Sequence, residues 1–548
     1  MPRSTVTCGL RSPFGACALG AGVGRSEPPR EAEADISSTR VDRSLGRVRV
    51  PALVLSFALL LLVAGAGPSA AKPGLGPRGW APGVLPITLS SSVVTAALWA
   101  AYLLGALAVG VGLWGGRACG QLRIRRGGWL GWLGWLRARP WVWPVALAVL
   151  ALLTAPMGSA DHTNYAAYGR IAAQGGDPYL VAPLTWAGGH DPVTSAVEPP
   201  WTMTPSVYGP FGTALQALSS LVGQDNLRQT VWVWQLFIVA AWLMVRFVLR
   251  RAAVDEAAAG RVDLLWTANP AVFGVAVLGA HVDLIATALA LAAIFLAARR
   301  PWIAGLVLGA TVSTKITYGV VALAILWSWR SLNRTDQVRN VIALGVPSLA
   351  VFAALHLWAG PHVFDQLVKA SKGVSLATAW RPVVNILSDV MALDVARSVV
   401  SVGSVVVVIA LTWALSRIVR SRPAAQHIAT AKPISITEQT QSAMAATFVL
   451  ATAYALGAPY ALPWYGILTW ATLPLMLATV LDWILLAWLT VMAMAYVPGR
   501  VVAVSAHVES LTLGFRKIVG PLAAWLVLLA IAGVARRGSA RVVPKPRH

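Results

Sequence analysis

Four groups of polar residues stand where strongly apolar runs begin, end or turn. The first is Ser159-Ala-Asp161-His162-Thr-Asn164-Tyr165. The second, Gly279-Ala-His281-Val-Asp283, separates two apolar segments, and the third, Ser313-Thr314-Lys315, separates two short ones. Lys369, Lys372 and Arg381 form the fourth, within residues 361–396. Aromatic residues accompany them: Trp201, Tyr208 and the turn Pro459-Tyr460-Ala-Leu-Pro463-Trp464-Tyr465. Each alone has an ordinary reading, as a solvated helix end, a hairpin cap, a snorkelling lysine or an aromatic belt. Ionisable residues within apolar segments are expensive, however, and so are candidates for function.

A carboxylate, a His-Asp pair, several cations and aromatic faces suit a phosphorylated sugar better than a simple ion. Cations offset the charge that develops on a departing phosphate. A carboxylate takes the proton of an attacking hydroxyl. Aromatic faces suit the apolar faces of sugars or a prenyl chain. Neither a G-x-x-x-x-G-K-[ST] loop nor a dinucleotide fingerprint is present, so a sugar donor used here is carried on a lipid. No cysteine or histidine cluster has metal-ligand spacing, and no metal or other cofactor is expected.

The elements that position these groups are membrane helices. The chain has 548 residues, 57% of them apolar and only 12% charged. Its charged fraction is about half the roughly 25% of soluble domains, which excludes an ordinary globular enzyme. High hydrophobicity excludes disorder. The formal charge of +23 would suggest nucleic acid in a soluble protein, but membrane proteins gather Lys and Arg on cytoplasmic loops, and no nucleic-acid partner is expected.

Runs of about 20 apolar residues mark the crossings. They fall at 50–67, 88–114, 140–157, 229–249, 262–279, 284–298, 302–314, 316–329, 340–358, 397–416, 443–458, 464–481, 483–497 and 517–535. Residues 1–49 read as a disordered basic cytoplasmic tail and 536–548 as a second basic tail. Residues 117–139 carry six Arg and no acid, which makes that loop cytoplasmic, with Trp129, Trp132 and Trp135 lying flat at the interface. The expected fold is thus an all-α polytopic bundle of about fourteen spans in the plasma membrane, with both termini inside. All four polar groups then face outward. The outer loop 158–205 is the largest before the central helices, and 206–223 reads as an interfacial or re-entrant helix. The runs 302–314 and 316–329 are short for full spans, and such helices persist only against protein or a wet cavity.

The stretch Asp161-His-Thr-Asn-Tyr165-Ala-Ala-Tyr168-Gly169-Arg170, with Gly176-Asp177-Pro178-Tyr179, Trp201 and Ser206-Val-Tyr208-Gly209-Pro210, resembles the first outer loop of actinobacterial α-(1→6)-mannosyltransferases that use polyprenyl-phosphate mannose. Asn269-Pro270, Gly279-Ala-His281-Val-Asp283, Gly305…Gly309 and Lys315 resemble that family's central helices, and Pro463-Trp464-Tyr465 its late outer loop. The resemblance covers roughly residues 50–535 and implies a bundle of the GT-C type. It implies transfer of mannose from a polyprenyl phosphate to a growing mannan or phosphatidylinositol-mannoside-type lipoglycan at the outer face of the plasma membrane. Asp161 matches the family's catalytic acid. Where many such relatives carry a second acid, this chain has His162, and no tightly bound metal is expected.

Roles follow for the remaining residues. Asp161 is the base of an inverting single displacement. Lys315 and Arg381 meet the donor phosphate, supported by His281 and Asp283. Tyr165, Tyr168, Asp177, His190, Asp191, Trp201, Tyr208, Trp464 and Tyr465 line the acceptor groove. Two other classes compete. A transporter or flippase for lipid-linked sugars would show paired repeats, and no second copy of either the Asp161 block or Gly-Ala-His-Val-Asp is present. A glycopolymer ligase using a lipid diphosphate shares the basic outer loop.

Overall fold

The computed structural model describes residues 30–118, 141–419 and 437–539. The expectations for Trp129, Trp132 and Trp135 and for the tail beyond 539 lie outside the described residues. The chain divides into two units, Met1–Ser44 and Leu45–His548. In the first, the described residues from Arg30 onward are helical, within the stretch expected to lack structure. The second unit holds every helix long and apolar enough to cross a membrane, and every candidate site residue.

Among the described residues the architecture is all helix, and the one β contact is an isolated bridge between Ser69 and Lys72. In chain order the helices that frame the site are α1 (Arg30–Gly65), α2 (Ser91–Ala118), α3 (Val142–Leu153), α4 (Asp161–Ala173), α5 (Pro210–Gly223) and α6 (Leu227–Ala252). Then come α7 (Glu256–Val262), α8 (Pro270–Leu278), α9 (Asp283–Ala297), α10 (Pro301–Thr314), α11 (Ile316–Ser328) and α12 (Arg334–Ala359). The last part holds α13 (Asp365–Ala370), α14 (Trp380–Ser388), α15 (Leu393–Ile418), α16 (Glu438–Gly457), α17 (Ile467–Thr472), α18 (Leu481–Tyr496) and α19 (Ala506–Arg537).

Helical backbone occupies all fourteen expected apolar runs. Among the described residues six helices are long and apolar enough to cross a membrane, and a seventh span results when α8 and α9 are counted as one bent pair. The short α3, α10, α11 and α18 do not reach that length alone. Helix starts follow local chemistry: Asn226 caps α6 by accepting from Gln229 N, Asn333 caps α12 through Asp336 N, and α10 starts on Pro301.

The bend between α8 and α9 is the fold's main irregularity. Asn269 opens α8, its Oδ1 accepting from the N–H groups of Ala271 and Val272. The chain then turns by 106° within four residues, with Ala280 at φ +53, a left-handed conformation costly for a side chain larger than glycine. Trp234 on α6 holds the turn by donating its indole N–H to Ala280 O at 2.8 Å. Close backbone approach sets the neighbouring helices. A Cβ on Gly305 would lie 2.3 Å from Leu344 O, and one on Gly309 2.6 Å from Ser348 O, so α10 and α12 meet through a small-xxx-small stripe.

A buried ion pair ties early and late parts of the chain together. Arg261 donates to both carboxylate oxygens of Asp482 at 2.6 and 3.0 Å, across 221 residues of sequence. Arg246 and Arg250 pair with Asp263 nearby. Along α6, Arg250 is 16 residues beyond Trp234, or about 24 Å. That is close to the thickness of a bilayer's hydrocarbon core, roughly 30 Å. Removing one partner of the Arg261–Asp482 pair leaves a buried charge, so Arg261→Met should destabilise by about 3–5 kcal/mol. Arg261→Met/Asp482→Leu should recover most of that loss, as judged by thermal unfolding in detergent.

Candidate functional site

Three separated pieces of chain converge on Asp161. Gly158 turns at φ +84 to aim α4, whose first residue is Asp161. Ser159 Oγ accepts from Asp161 N at 3.3 Å, and Thr163 Oγ1 donates to Ala160 O at 2.7 Å, which fixes this first turn. At a helix N-terminus a carboxylate meets the positive end of the backbone dipole. Asp161 is the partly accessible member of the group, at 18% side-chain exposure against 2% for His281.

His281, at the α8–α9 bend, places Nδ1 3.4 Å from Asp161 Oδ2 and 3.5 Å from the Tyr165 hydroxyl. Its ring is stacked on Trp464, with centroids 3.6 Å apart and planes within 14°. Two residues on, Asp283 Oδ1 accepts from Lys315 Nζ at 2.6 Å, while Asp283 Oδ2 is buried without a partner. Lys315 Nζ also lies 3.7 Å over the ring of Tyr465. The Asp283 backbone carbonyl takes the Tyr318 hydroxyl at 2.9 Å, and that oxygen lies 2.9 Å from Thr287 Oγ1. Adjacent aromatic residues on one turn thus cover the histidine and the lysine. Gly209 brings the segment before α5 against this pair: its N–H donates to Thr314 O, and a Cβ there would lie 2.2 Å from Ser313 O.

The other residues expected at the site are placed as follows. Tyr165 is buried, edge-on to Tyr208 at 4.9 Å and against Trp234 at 5.1 Å. Tyr168 is buried and donates to Thr204 O. Asp191, expected in the acceptor groove, is instead a fastening of the loop. One oxygen pairs with Arg170 at 2.9 Å and the other accepts the N–H groups of Val193 and Thr194. Burial alone would raise its carboxyl; those N–H groups and Arg170 hold it below the usual range. Asp177 pairs with His362 at 2.9 Å and so joins the loop to the segment after α12. His190 and Trp201 are exposed. Arg381 is the second residue of α14, just after residues 375–378 bond to Pro459 and Ala461, but no described contact links its guanidinium to Lys315.

Several contributors carried little signal in the sequence. Arg500 grips Glu198 with two nitrogens and also donates to Lys72 O, tying the chain beyond α18 to the first loops. Lys72 is buried and donates to Ala64 O at 2.6 Å; burial, then Arg228, brings its ammonium down to about 7. His162 is buried, neither of its ring nitrogens has a partner, and burial holds it uncharged with its pKa down to about 3. Among the described residues no group of three His, Cys, Asp or Glu side chains is arranged to hold a metal ion.

The fold and site define a helical membrane protein that holds a carboxylate and a neutralised cation under an aromatic turn. Residues 54–331 match the family model described as alpha-(1->6)-mannopyranosyltransferase, N-terminal domain, and the chain belongs to that family. It is 30% identical to a probable alpha-(1->6)-mannopyranosyltransferase of Mycolicibacterium smegmatis over 41% of this chain and 45% of that one. It is 27% identical to alpha-(1->6)-mannopyranosyltransferase B of Corynebacterium glutamicum over 41% and 35%. With alpha-(1->6)-mannopyranosyltransferase A of Mycobacterium tuberculosis it shares 26% over 40% and 42%. The match therefore spans less than half the length of each of these relatives. No solved structure matches.

The Asp283–Lys315 pair generates a direct stability test. Lys315→Met leaves the Asp283 carboxylate without its cation and should cost on the order of 2–3 kcal/mol. Lys315→Met/Asp283→Asn should lose less than Lys315→Met alone, because the stranded charge is gone. A double-mutant cycle on thermal midpoints reads the difference.

Proposed function

We propose that this protein is an α-(1→6)-mannosyltransferase that moves mannose from a polyprenyl-phosphate mannose to a growing mannan or phosphatidylinositol-mannoside-type lipoglycan. The observation that carries the reading is the convergence of Asp161, His281 and the Asp283–Lys315 pair beneath Trp464 and Tyr465. Family membership supports the sugar and the linkage. The bundle is read as GT-C-like, with about fourteen crossings built from full, bent and short helices. It lies in the plasma membrane with this site on the extracytoplasmic face. The basic Arg246, Arg250 and Arg261 end then faces the cytoplasm, in keeping with the distribution of positive charge.

In this mechanism the phosphate of the donor lies toward Lys315, and Arg381 approaches from the outer loop. Asp161 accepts the proton of the acceptor 6-hydroxyl as that oxygen attacks the anomeric carbon. A β-linked donor and an α product require inversion, which one base and one displacement supply. Trp201, Tyr208, Asp177 and His190 line the acceptor side, while Tyr165, Tyr168 and Asp191 hold the loop. The chemistry assigned to these side chains needs no metal.

General base catalysis contributes roughly 10²–10⁴-fold, so Asp161→Asn should lower kcat by that order with little change in donor KM. The assay uses purified protein in liposomes with labelled polyprenyl-phosphate mannose and a synthetic α-(1→6)-mannobioside. Transfer requires the acceptor, whereas a flippase moves label without it. Near-normal transfer by the Asn variant removes Asp161 from the role of base.

A further inference from the structure

We propose that Asp161 and His281 act as one proton-handling pair, in which His281, as an imidazolium, protonates the phosphate that the displacement expels. The inference rests on the mannosyl-transfer reading above and assigns His281 a catalytic role in place of passive support for the donor.

The geometry of the ring carries it. Both close contacts of His281, to Asp161 at 3.4 Å and to Tyr165 at 3.5 Å, use Nδ1, so Nε2 on the far edge is the nitrogen neither of them occupies. Such distances are long for hydrogen bonds, as is common before substrate tightens a site. The Trp464 stack fixes the ring plane. Gly279 leaves the space it needs: a Cβ there would lie 2.7 Å from Cδ2 and 2.8 Å from Nε2 of His281. Two residues further along the same bend, Asp283 holds Lys315, where the phosphate is read to bind. The imidazole therefore lies against the base on its Nδ1 edge, on the same bend as the carboxylate that holds Lys315.

Charge balance supports the imidazolium. Asp161, Asp283 and Lys315 together carry one net negative charge, which opposes an anionic phosphodiester. Protonated His281 brings the group to neutrality, and its Nδ1–H donates to Asp161. The other titratable groups around it are Tyr165 and the buried His162 from α4, Asp283 from its own bend, and Lys315 and Tyr465 across the site.

The step balances. The acceptor O–H bond breaks and its proton goes to Asp161. The acceptor oxygen forms a bond to the anomeric carbon as the bond from that carbon to the phosphate oxygen breaks, its electron pair staying on that oxygen. His281 Nε2–H protonates the same oxygen, so polyprenyl phosphate leaves as a monoanion. The pair then redistributes its remaining protons with solvent when product departs.

Single-turnover transfer in liposomes across pH tests the proposal. Wild-type rate should fall as pH rises from about 5 to 8, because a general acid must carry its proton to act. His281→Gln should lower the rate about 100-fold or more, leave donor KM within about threefold, and abolish that fall. A wild-type rate that is flat or rising across this range overturns the proposal whatever the variant does, including a variant that fails to fold. An increase in donor KM with rate and pH profile kept also overturns it, since His281 would then only bind phosphate. If wild-type protein transfers no mannose at all, the mannosyltransferase reading fails instead, and the two failures are distinct.

Discussion

A charged group in an apolar surround must be paired, and the pairing of Asp283 with Lys315 organises the region around the α8–α9 bend. Asp283 is only 1% exposed and starts the helix that follows the 106° bend. Its cation comes from the junction of α10 and α11, two helices too short to be ordinary spans. Satisfying one buried carboxylate thus fixes the relative positions of four helix ends. Tyr318 and Thr287 hold the same corner through the Asp283 backbone and each other. The aromatic turn at Trp464 and Tyr465 then seals it, with a cation over one ring worth roughly 0.5–2 kcal/mol.

The same rule operates at the opposite end of α6. There Arg261 and Asp482 satisfy one another in the interior and bind the two halves of the chain. The two buried pairs have different neighbours, and that difference separates structure from chemistry. Asp482 has both oxygens bonded to Arg261 and one also takes Thr479 N, so neither oxygen is left without a partner. At the other pair, Asp283 keeps an unpartnered oxygen and Asp161, beside it, stays partly open to solvent. Unspent polar capacity distinguishes the candidate site.

Much of this was legible in the sequence because charges within apolar runs are conspicuous. Asp161, His281, Asp283, Lys315 and the Trp464-Tyr465 turn could each be picked out by type and position. Their pairing could not. His281 meets Asp161 across about 120 residues, and no periodicity encodes which of several polar groups on one face will touch. Asp191 was legible only by type: in His190-Asp191-Pro192 a carboxylate looks the same whether it faces a sugar or closes a turn, and its bonds to the N–H groups of Val193 and Thr194 come from the fold. Asp482 lay unremarked between two apolar runs, because the sequence alone does not reveal its partner Arg261. Span number was the least legible feature. Apolar runs predict helix well, but a bend such as that at Ala280 and helices as short as α10 leave crossing and re-entry looking alike.

The central claim is that a lipid-linked mannosyl phosphate binds with its reacting carbon at Asp161 and its phosphate at Lys315. The most direct measurement is a cryo-EM structure of the protein in a lipid nanodisc with a non-reacting phosphonate analogue of polyprenyl-phosphate mannose. The account predicts the phosphonate oxygens within hydrogen-bond distance of Lys315, and the anomeric carbon facing the Asp161 carboxylate with room for one hydroxyl between them. Density for the phosphonate at the Arg246, Arg250 and Arg261 end, or a sugar ring turned away from Asp161, would contradict it.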